Sequence, residues 1–242
     1  LGRATRIVQT LLKSGKEYIG IMHLHKDVEE TKLKETIKRN FTGKIMQIPP
    51  IKSAVRRIKR EREIYYFDIL EKDGQDVLFV VGCQAGTYIR KLIHDLGQKL
   101  KVGAHMQELR RTKAGPFKEN SLFTLQDLID AYHFYKKENN DKFLRKIIQP
   151  VENAIEHLPK IWIFDTTIDT LCHGADLNIP GISKLNDQIN ENDAVAIMTL
   201  KEELVALGTA TLNSDDILKK DKGLAVKTDK VFMEPGVYTR SK

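Results

Sequence analysis

Several short stretches of this 242-residue chain carry side chains suited to chemistry. At Gly86-Thr87-Tyr88-Ile89-Arg90 a strand turns into a helix whose apolar stripe runs through Ile89, Leu92, Ile93, Leu96 and Leu100. At about 100° per residue, Arg90 falls on the shoulder of that stripe, in the first helical turn. From there a guanidinium can snorkel to water, or it can reach a cleft at the strand end and clasp a carboxylate with paired hydrogen bonds. The helix macrodipole opposes a cation in a first turn, which suggests an electrostatic partner. Tyr18 enters a strand after Lys13-Ser14-Gly15-Lys16-Glu17. Such a tyrosine can pack as core, the reading spacing favours, or present its face to a nucleobase and its hydroxyl to a proton transfer.

Basic residues gather in two places. Arg56, Arg57, Lys59, Arg60 and Arg62 surround one acid, Glu61, just ahead of a strand, so they fall on a loop or edge. That density suits phosphate contacts as well as a solvated face. Arg110 and Arg111, with Lys113, form a second cluster before Gly115-Pro116-Phe117. His23, His25, His94, His105 and His173 are scattered over different elements, and Cys83 and Cys172 stand far apart, so neither a metal site nor a disulfide is expected. No phosphate-binding P-loop, dinucleotide-binding glycine turn or H-E-x-x-H helix occurs, which lowers the weight of the common nucleotide-cofactor and zinc-hydrolase classes.

The elements that must hold these residues can be read from periodicity. A helix through Ala4, Ile7, Val8, Leu11 and Leu12 stops at Ser14-Gly15, and a strand runs from Tyr18 to Leu24. A second helix covers Thr31 to Asn40, and Gln47-Ile48-Pro49-Pro50 is a rigid extended turn. Glu63 to Leu70 and Val77 to Gln84 form a hairpin about Asp73-Gly74. A further helix begins after Thr124, with Asp127 three residues on as in a capping box. Beyond His157-Leu158-Pro159 the texture changes to short strands with turns at Gly174, Pro180-Gly181, Gly208 and Gly223, as in a small all-β barrel.

Composition agrees with a folded chain: 41% of residues are hydrophobic and 30% charged, too many apolar groups for a disordered one. No run approaches a bilayer span, and no signal-peptide core follows the first residues, so a soluble intracellular protein with no membrane role is expected. The net charge of +7 is unevenly placed. Residues 1–157 hold 30 Lys and Arg against 20 Asp and Glu, whereas residues 158–242 hold 10 against 13. The change of sign coincides with the change of texture, and we expect domains at 1–157 and 158–242. A basic first part suits a polyanion.

In order along the chain, Leu1-Gly-Arg-Ala-Thr-Arg-Ile, Ser14-Gly-Lys-Glu-Tyr18, Pro49-Pro50 with Ser53-Ala54-Val55, Gly86-Thr-Tyr-Ile-Arg90 with Asp95-Leu-Gly97, and Gly103-Ala-His-Met-Gln-Glu-Leu109-Arg-Arg resemble the TruB family of RNA pseudouridine synthases. Glu156-His-Leu-Pro-Lys-Ile-Trp162, then His173-Gly-Ala-Asp-Leu177 and Pro180-Gly181, resemble the PUA domain of the family's archaeal and eukaryotic dyskerin-like branch, the catalytic subunits of box H/ACA ribonucleoproteins. The short connection from Ser53-Ala-Val-Arg-Arg to Tyr65-Tyr66 also resembles that branch, and the lack of a Lys-rich tail points to its archaeal side.

The resemblance implies an α+β fold, a mixed but largely antiparallel sheet with helices, followed by a small all-β PUA pseudobarrel. It implies isomerisation of uridine to pseudouridine in RNA without metal or organic cofactor. Tyr18 matches the tyrosine that stacks on the flipped base and is a candidate for taking the C5 proton. Arg90 matches the arginine that pairs with the essential aspartate, and Leu109 matches the apolar residue lining the pocket. The aspartate itself is expected upstream of Leu1, in a part of the chain absent from the sequence. Implied partners are a box H/ACA guide RNA, substrate rRNA, the tRNA T-loop, and small accessory proteins of Nop and Gar type with a ribosomal-protein-like kink-turn binder. The location would be cytoplasmic in an archaeon and nucleolar in a eukaryote.

Arg56, Arg57, Lys59, Arg60, Arg62, Arg110 and Arg111 are the expected RNA contacts of the first part. In the second, whose charge is −3, a local readout by His173, Gly174, Ala175, Asp176, Leu177 and Lys184 is expected. His173 to Asp176 can also be only a turn. A non-catalytic RNA-binding scaffold and a stand-alone tRNA synthase are the alternative functions.

Overall fold

The computed structural model describes residues 2–50 and 55–238. The resemblance at Leu1 and at Ser53-Ala54 therefore lies outside the described residues. Contacts divide the chain into two compact units, Gln9–Leu122 and Leu1–Val8 with Phe123–Lys242.

The first unit is built on a six-stranded antiparallel sheet of β1 (Lys16–Leu24), β2 (Gly43–Gln47), β3 (Arg60–Asp73), β4 (Asp76–Cys83), β5 (Ala104–Ala114) and β6 (Phe117–Lys118), in the order β2-β3-β4-β1-β5-β6. β1 lies between β4 and β5, so one face of it is decided by packing. Gly20, Met22 and Leu24 point into the core while the residues between them remain partly open, the period-two pattern of a half-buried strand. On that core lie α2 (Glu30–Asn40), through Leu33 and Ile37, and α3 (Ile89–Lys99), through Ile89, Leu92, Ile93 and Leu96. The α3 stripe is the one read from spacing. Phe67, Val77, Phe79 and Val81 fill the core from β3 and β4. β3 extends further toward the N-terminus than its apolar run, so Arg60 and Arg62 are strand residues paired with Gln47 and Ile45. Arg56, Arg57 and Lys59 stay outside the strand.

The second unit contains α4 (Leu125–Glu138), α5 (Lys142–Ile147) and a second six-stranded sheet of β7 (Lys160–Ile163), β8 (Leu177–Asn178), β9 (Ile182–Leu185), β10 (Ala194–Met198), β11 (Leu204–Ala210) and β12 (Leu224–Val231), in the order β8-β12-β11-β10-β7-β9. Only β10 and β7 pair in parallel among these strands. Thr124 and Asp127 close the expected capping box at the start of α4. Two short helices, α6 (Asp165–Cys172) and α7 (Ser214–Lys219), accompany the strands and were not suggested by the sequence texture. α6 buries Ile168, Leu171 and Cys172, and the Asn213 side chain caps α7 by accepting from the Asp216 N–H.

The contact division falls at Leu122/Phe123, whereas charge and texture change near residue 157. Residues Gly2–Ile7, a 3-10 turn leading into α1 (Val8–Lys13), also group with the second unit. There Arg3 Nη1 donates to Met233 O at 2.9 Å, and Arg6 Nη1 to Val231 O at 2.6 Å. Among the described residues, no helix is long and apolar enough to cross a membrane.

Candidate functional site

Tyr18 pairs with Val81 of β4 on one side and Arg111 of β5 on the other, and Gly20 pairs with Leu109. Directly opposed residues project to the same face of a sheet, so Tyr18, Leu109 and Arg111 come together. Gly20 makes room for this group. A methyl there would lie 2.7 Å from the Glu108 carbonyl oxygen, 2.9 Å from Phe79 Cζ and 3.1 Å from Leu109 Cδ1. Leu109 is 37% exposed, an apolar side chain at a surface rather than in the core.

Burial, aided by neighbouring Cys83, pushes the Tyr18 phenol above its usual range, while the Arg111 guanidinium beside its hydroxyl pulls the other way. Arg111 was expected as a phosphate contact; its place next to Tyr18 depends on β5 register, which no local pattern discloses. Lys16 anchors the approach to Tyr18: its ammonium donates to the carbonyls of Leu11 at 2.8 Å, Leu12 at 3.0 Å and Ser14 at 2.6 Å. Burial, with Arg111 nearby, lowers its pKa.

Arg90 is exposed in the first turn of α3 and makes no hydrogen bond or ion pair among the described residues. The turn beneath it is held by a residue the sequence did not single out. Gln47 is 3% exposed, and its amide accepts from Tyr88 N at 3.1 Å and donates to Tyr88 O at 3.3 Å. A buried amide with both ends satisfied fixes the helix start more firmly than the missing side-chain cap at Tyr88 would allow. Its only sequence signal was its position before Pro49-Pro50.

The two basic clusters are less free than their charge implied. Arg62 donates from Nε to Gly86 O at 3.2 Å and from Nη1 to Glu61 O at 2.9 Å, tying β3 to the turn that feeds α3. Arg57 Nε lies 3.4 Å from Pro49 O. Arg56 and Lys59 are exposed and Arg60 is half-buried. Arg110 is ion-paired with Glu119.

In the second unit, His173 to Asp176 form an exposed turn between α6 and β8. Asp176 Oδ1 accepts from Thr228 N at 2.8 Å, and Thr228 Oγ1 donates to Ala175 O at 2.8 Å, so the turn is pinned to β12. His173 Nδ1 lies 2.8 Å from Asp169 O. Leu177 is fully buried in the second core, which corrects its expected place on an RNA-contacting face: alternation along β8 points it inward. Lys184 lies on β9, the opposite edge strand of this sheet from β8, with its ammonium 4.2 Å from the Trp162 ring centroid and 3.7 Å from Glu202. Trp162 Nε1 donates to the same carboxylate at 2.9 Å.

The histidines are not all scattered. His23 pairs with His105 across β1 and β5, His25 Nε2 lies 3.0 Å from His105 Nδ1, and His23 Nδ1 lies 2.6 Å from Asp76 Oδ1. Strand pairing made these distant residues neighbours. Among the described residues, no group of three or more His, Cys, Asp or Glu is arranged to hold a metal ion.

Comparison with known proteins gives three consecutive family matches: the TruB family pseudouridylate synthase N-terminal domain over residues 1–89, the tRNA pseudouridylate synthase B C-terminal domain over 90–156, and the PUA domain over 159–232. A probable tRNA pseudouridine synthase B of Pyrococcus horikoshii is 56% identical over 241 residues, covering 99% of this chain and 72% of that protein. One from Methanopyrus kandleri is 54% identical over 241 residues, covering 100% and 71%. Among solved structures, a Cbf5-Nop10-Gar1 complex matches with TM-score 0.93 and 55% identity over 98% of this chain and 72% of the matched one. An H/ACA RNP bound to a substrate RNA containing 2'-deoxyuridine matches with TM-score 0.90 and 53% identity over 99% and 73%. The sheet, the Tyr18–Leu109 face and the extent of these matches lead to one assignment: the chain belongs to the TruB family of pseudouridine synthases carrying a PUA domain.

Proposed function

We propose that this chain is the catalytic subunit of an RNA-guided pseudouridine synthase that acts on rRNA within a box H/ACA particle, together with small accessory proteins of Nop and Gar type and a kink-turn binder. The observation that carries the reading is its likeness, at 53% identity, to an H/ACA RNP bound to a substrate RNA. The proposed division of labour is a catalytic part over 1–157 and an RNA-binding part over 158–242, supported by family matches that end at 156 and resume at 159. The archaeal relatives support a cytoplasmic location.

The reaction breaks the N1–C1′ bond, forms C5–C1′, removes the C5 proton and leaves a proton on N1, so no atoms are gained or lost. A target base must leave its stack, and the half-buried Tyr18 ring is the proposed surface that receives it, with Leu109 on the pocket wall. The raised pKa of Tyr18 keeps its phenol protonated at neutral pH, so taking the C5 proton requires a cation at the hydroxyl, which Arg111 supplies. Arg90 is the proposed cation that keeps the family's essential aspartate ionised.

The test is tritium release from 5-tritiated uridine in RNA by the full-length protein and its accessory proteins. Turnover of an rRNA fragment only with a matching guide RNA is the expected result, and equal turnover without guide overturns the guided reading. Tyr18→Phe and Arg90→Ala are expected to lose activity; full activity in both overturns the site. A second reading, guide-independent action on tRNA, is favoured by the names of the relatives, and a T-loop transcript in the same assay tests it.

A further inference from the structure

We infer that Glu17 is a positioning residue of the synthase site: its carboxylate joins Tyr66 of β3 to Thr112 of β5 and so holds the strand irregularity that puts Tyr18 and Arg111 on one face. The inference rests on the site proposed above.

Register is the starting point. Glu17 pairs with Lys113 but Tyr18 pairs with Arg111, so Thr112 is the extra residue of a bulge at this step. Without it, the residue opposite Tyr18 would be Thr112, and the Arg111 side chain would turn to the other face. The bulge therefore decides whether a guanidinium or a hydroxyl stands beside the phenol. Thr112 Oγ1 donates to Glu17 Oε1 at 2.7 Å, which ties the extra residue to the strand it bulges from.

The other carboxylate oxygen accepts a hydrogen bond from the Tyr66 hydroxyl. Tyr66 reaches it from β3 across the intervening β4, and Gly82 of β4 is what lets it pass: a methyl at Gly82 would overlap the Tyr66 ring. Four strands thus contribute to one connection behind the site, Tyr66 from β3, Gly82 from β4, Glu17 from β1 and Thr112 from β5. The two hydroxyls, with Lys113 and Lys118 nearby, hold the Glu17 carboxyl below its usual range, so it stays ionised and accepting. Tyr66 is pushed up to about 12 by burial and by Glu17, so it stays a donor. Strand alternation puts Glu17 and Tyr66 on the face of the sheet opposite Tyr18. Their effect on the reaction runs through the backbone of Tyr18 and Arg111.

The test compares Tyr66→Phe, Thr112→Val and Thr112→Ser in the full-length protein with its accessory proteins, by single-turnover tritium release and by RNA binding. Tyr66→Phe keeps the ring over Gly82 and removes only the hydroxyl; Thr112→Ser keeps the hydroxyl. The expected result is a fall of about tenfold or more in the rate at saturating RNA for Tyr66→Phe and Thr112→Val, with RNA affinity held within about twofold and Thr112→Ser near wild type. Wild-type rates in Tyr66→Phe and Thr112→Val overturn the inference, as does an equal loss in Thr112→Ser. Tyr18→Phe, run alongside, separates the two ideas: if it retains full activity the site itself falls, and if it is inactive while Tyr66→Phe and Thr112→Val are normal, only the role of Glu17 falls.

Discussion

Replacing Gly20 with alanine adds one methyl group at the centre of the first sheet, and its three nearest neighbours set the cost. Phe79 Cζ at 2.9 Å and Leu109 Cδ1 at 3.1 Å belong to side chains that can shift by a few tenths of an ångström. The Glu108 carbonyl oxygen at 2.7 Å belongs to the β5 backbone and cannot move without stretching the ladder to β1. Overpacking of this kind costs about 1–3 kcal/mol, and the backbone contact puts Gly20→Ala in the upper half, about 2–3 kcal/mol. For a chain of this size that is a fall of about 4–12 °C in Tm. The assay is thermal unfolding followed by circular dichroism, with Leu109→Ala and the double variant beside it. Leu109→Ala removes one of the three clashes, so the double variant should be less destabilised than the sum of the two singles. A Gly20→Ala protein within about 1 °C of wild type, or a double variant at the full sum, would refute this account of why the position is glycine.

Three further outcomes follow from the same geometry. Arg111→Met removes the group that draws the Tyr18 pKa down, so the alkaline-rising limb of the pH–rate profile for tritium release should move to higher pH; an unmoved limb argues against Tyr18 as the proton acceptor. Glu17 has a folded pKa below its unfolded one, so its contribution is present above about pH 4.3 and disappears as pH falls through the folded value. Urea unfolding should therefore show wild type ahead of Glu17→Gln at pH 7, with the gap narrowing as the solution is acidified. Changing Arg56, Lys59 and Arg60 together to Gln should reduce the slope of log affinity against log salt by about 2, at about 0.7 per lost contact to single-stranded RNA, while Asp176→Asn leaves that slope unaltered.

The parts of this molecule legible in the sequence are those decided by local pattern. The apolar stripe of α3, the Asp73-Gly74 hairpin and the Thr124 capping box follow from periodicity and turn chemistry and need nothing from elsewhere in the chain. Tyr18, Arg90 and Leu109 were named by matching motifs, and strand pairing then explains how Leu109 comes to stand near Tyr18. What stayed hidden depends on register. Arg111 looked like one more basic residue until a bulge turned it to Tyr18, and His23, His25 and His105 looked scattered until β1 and β5 paired. Gln47 was invisible for a related reason: its partner is the backbone of Tyr88, forty-one residues away. The short helices α6 and α7 bury few residues each, too few for a periodic signal to rise above the strands around them.

The bonds from Arg3 and Arg6 to β12 and its flank have a consequence for the order of synthesis. Each spans more than two hundred residues, 230 for Arg3 and 225 for Arg6. Loop closure over such lengths is slow and gains nothing until both ends exist. During translation the earlier arginines must therefore wait, unpaired, while the whole first sheet is made and folded. A chain stalled before Leu224 would hold a finished first sheet and an unsealed second one, and its Gly2–Ile7 segment should be the part a protease cuts first.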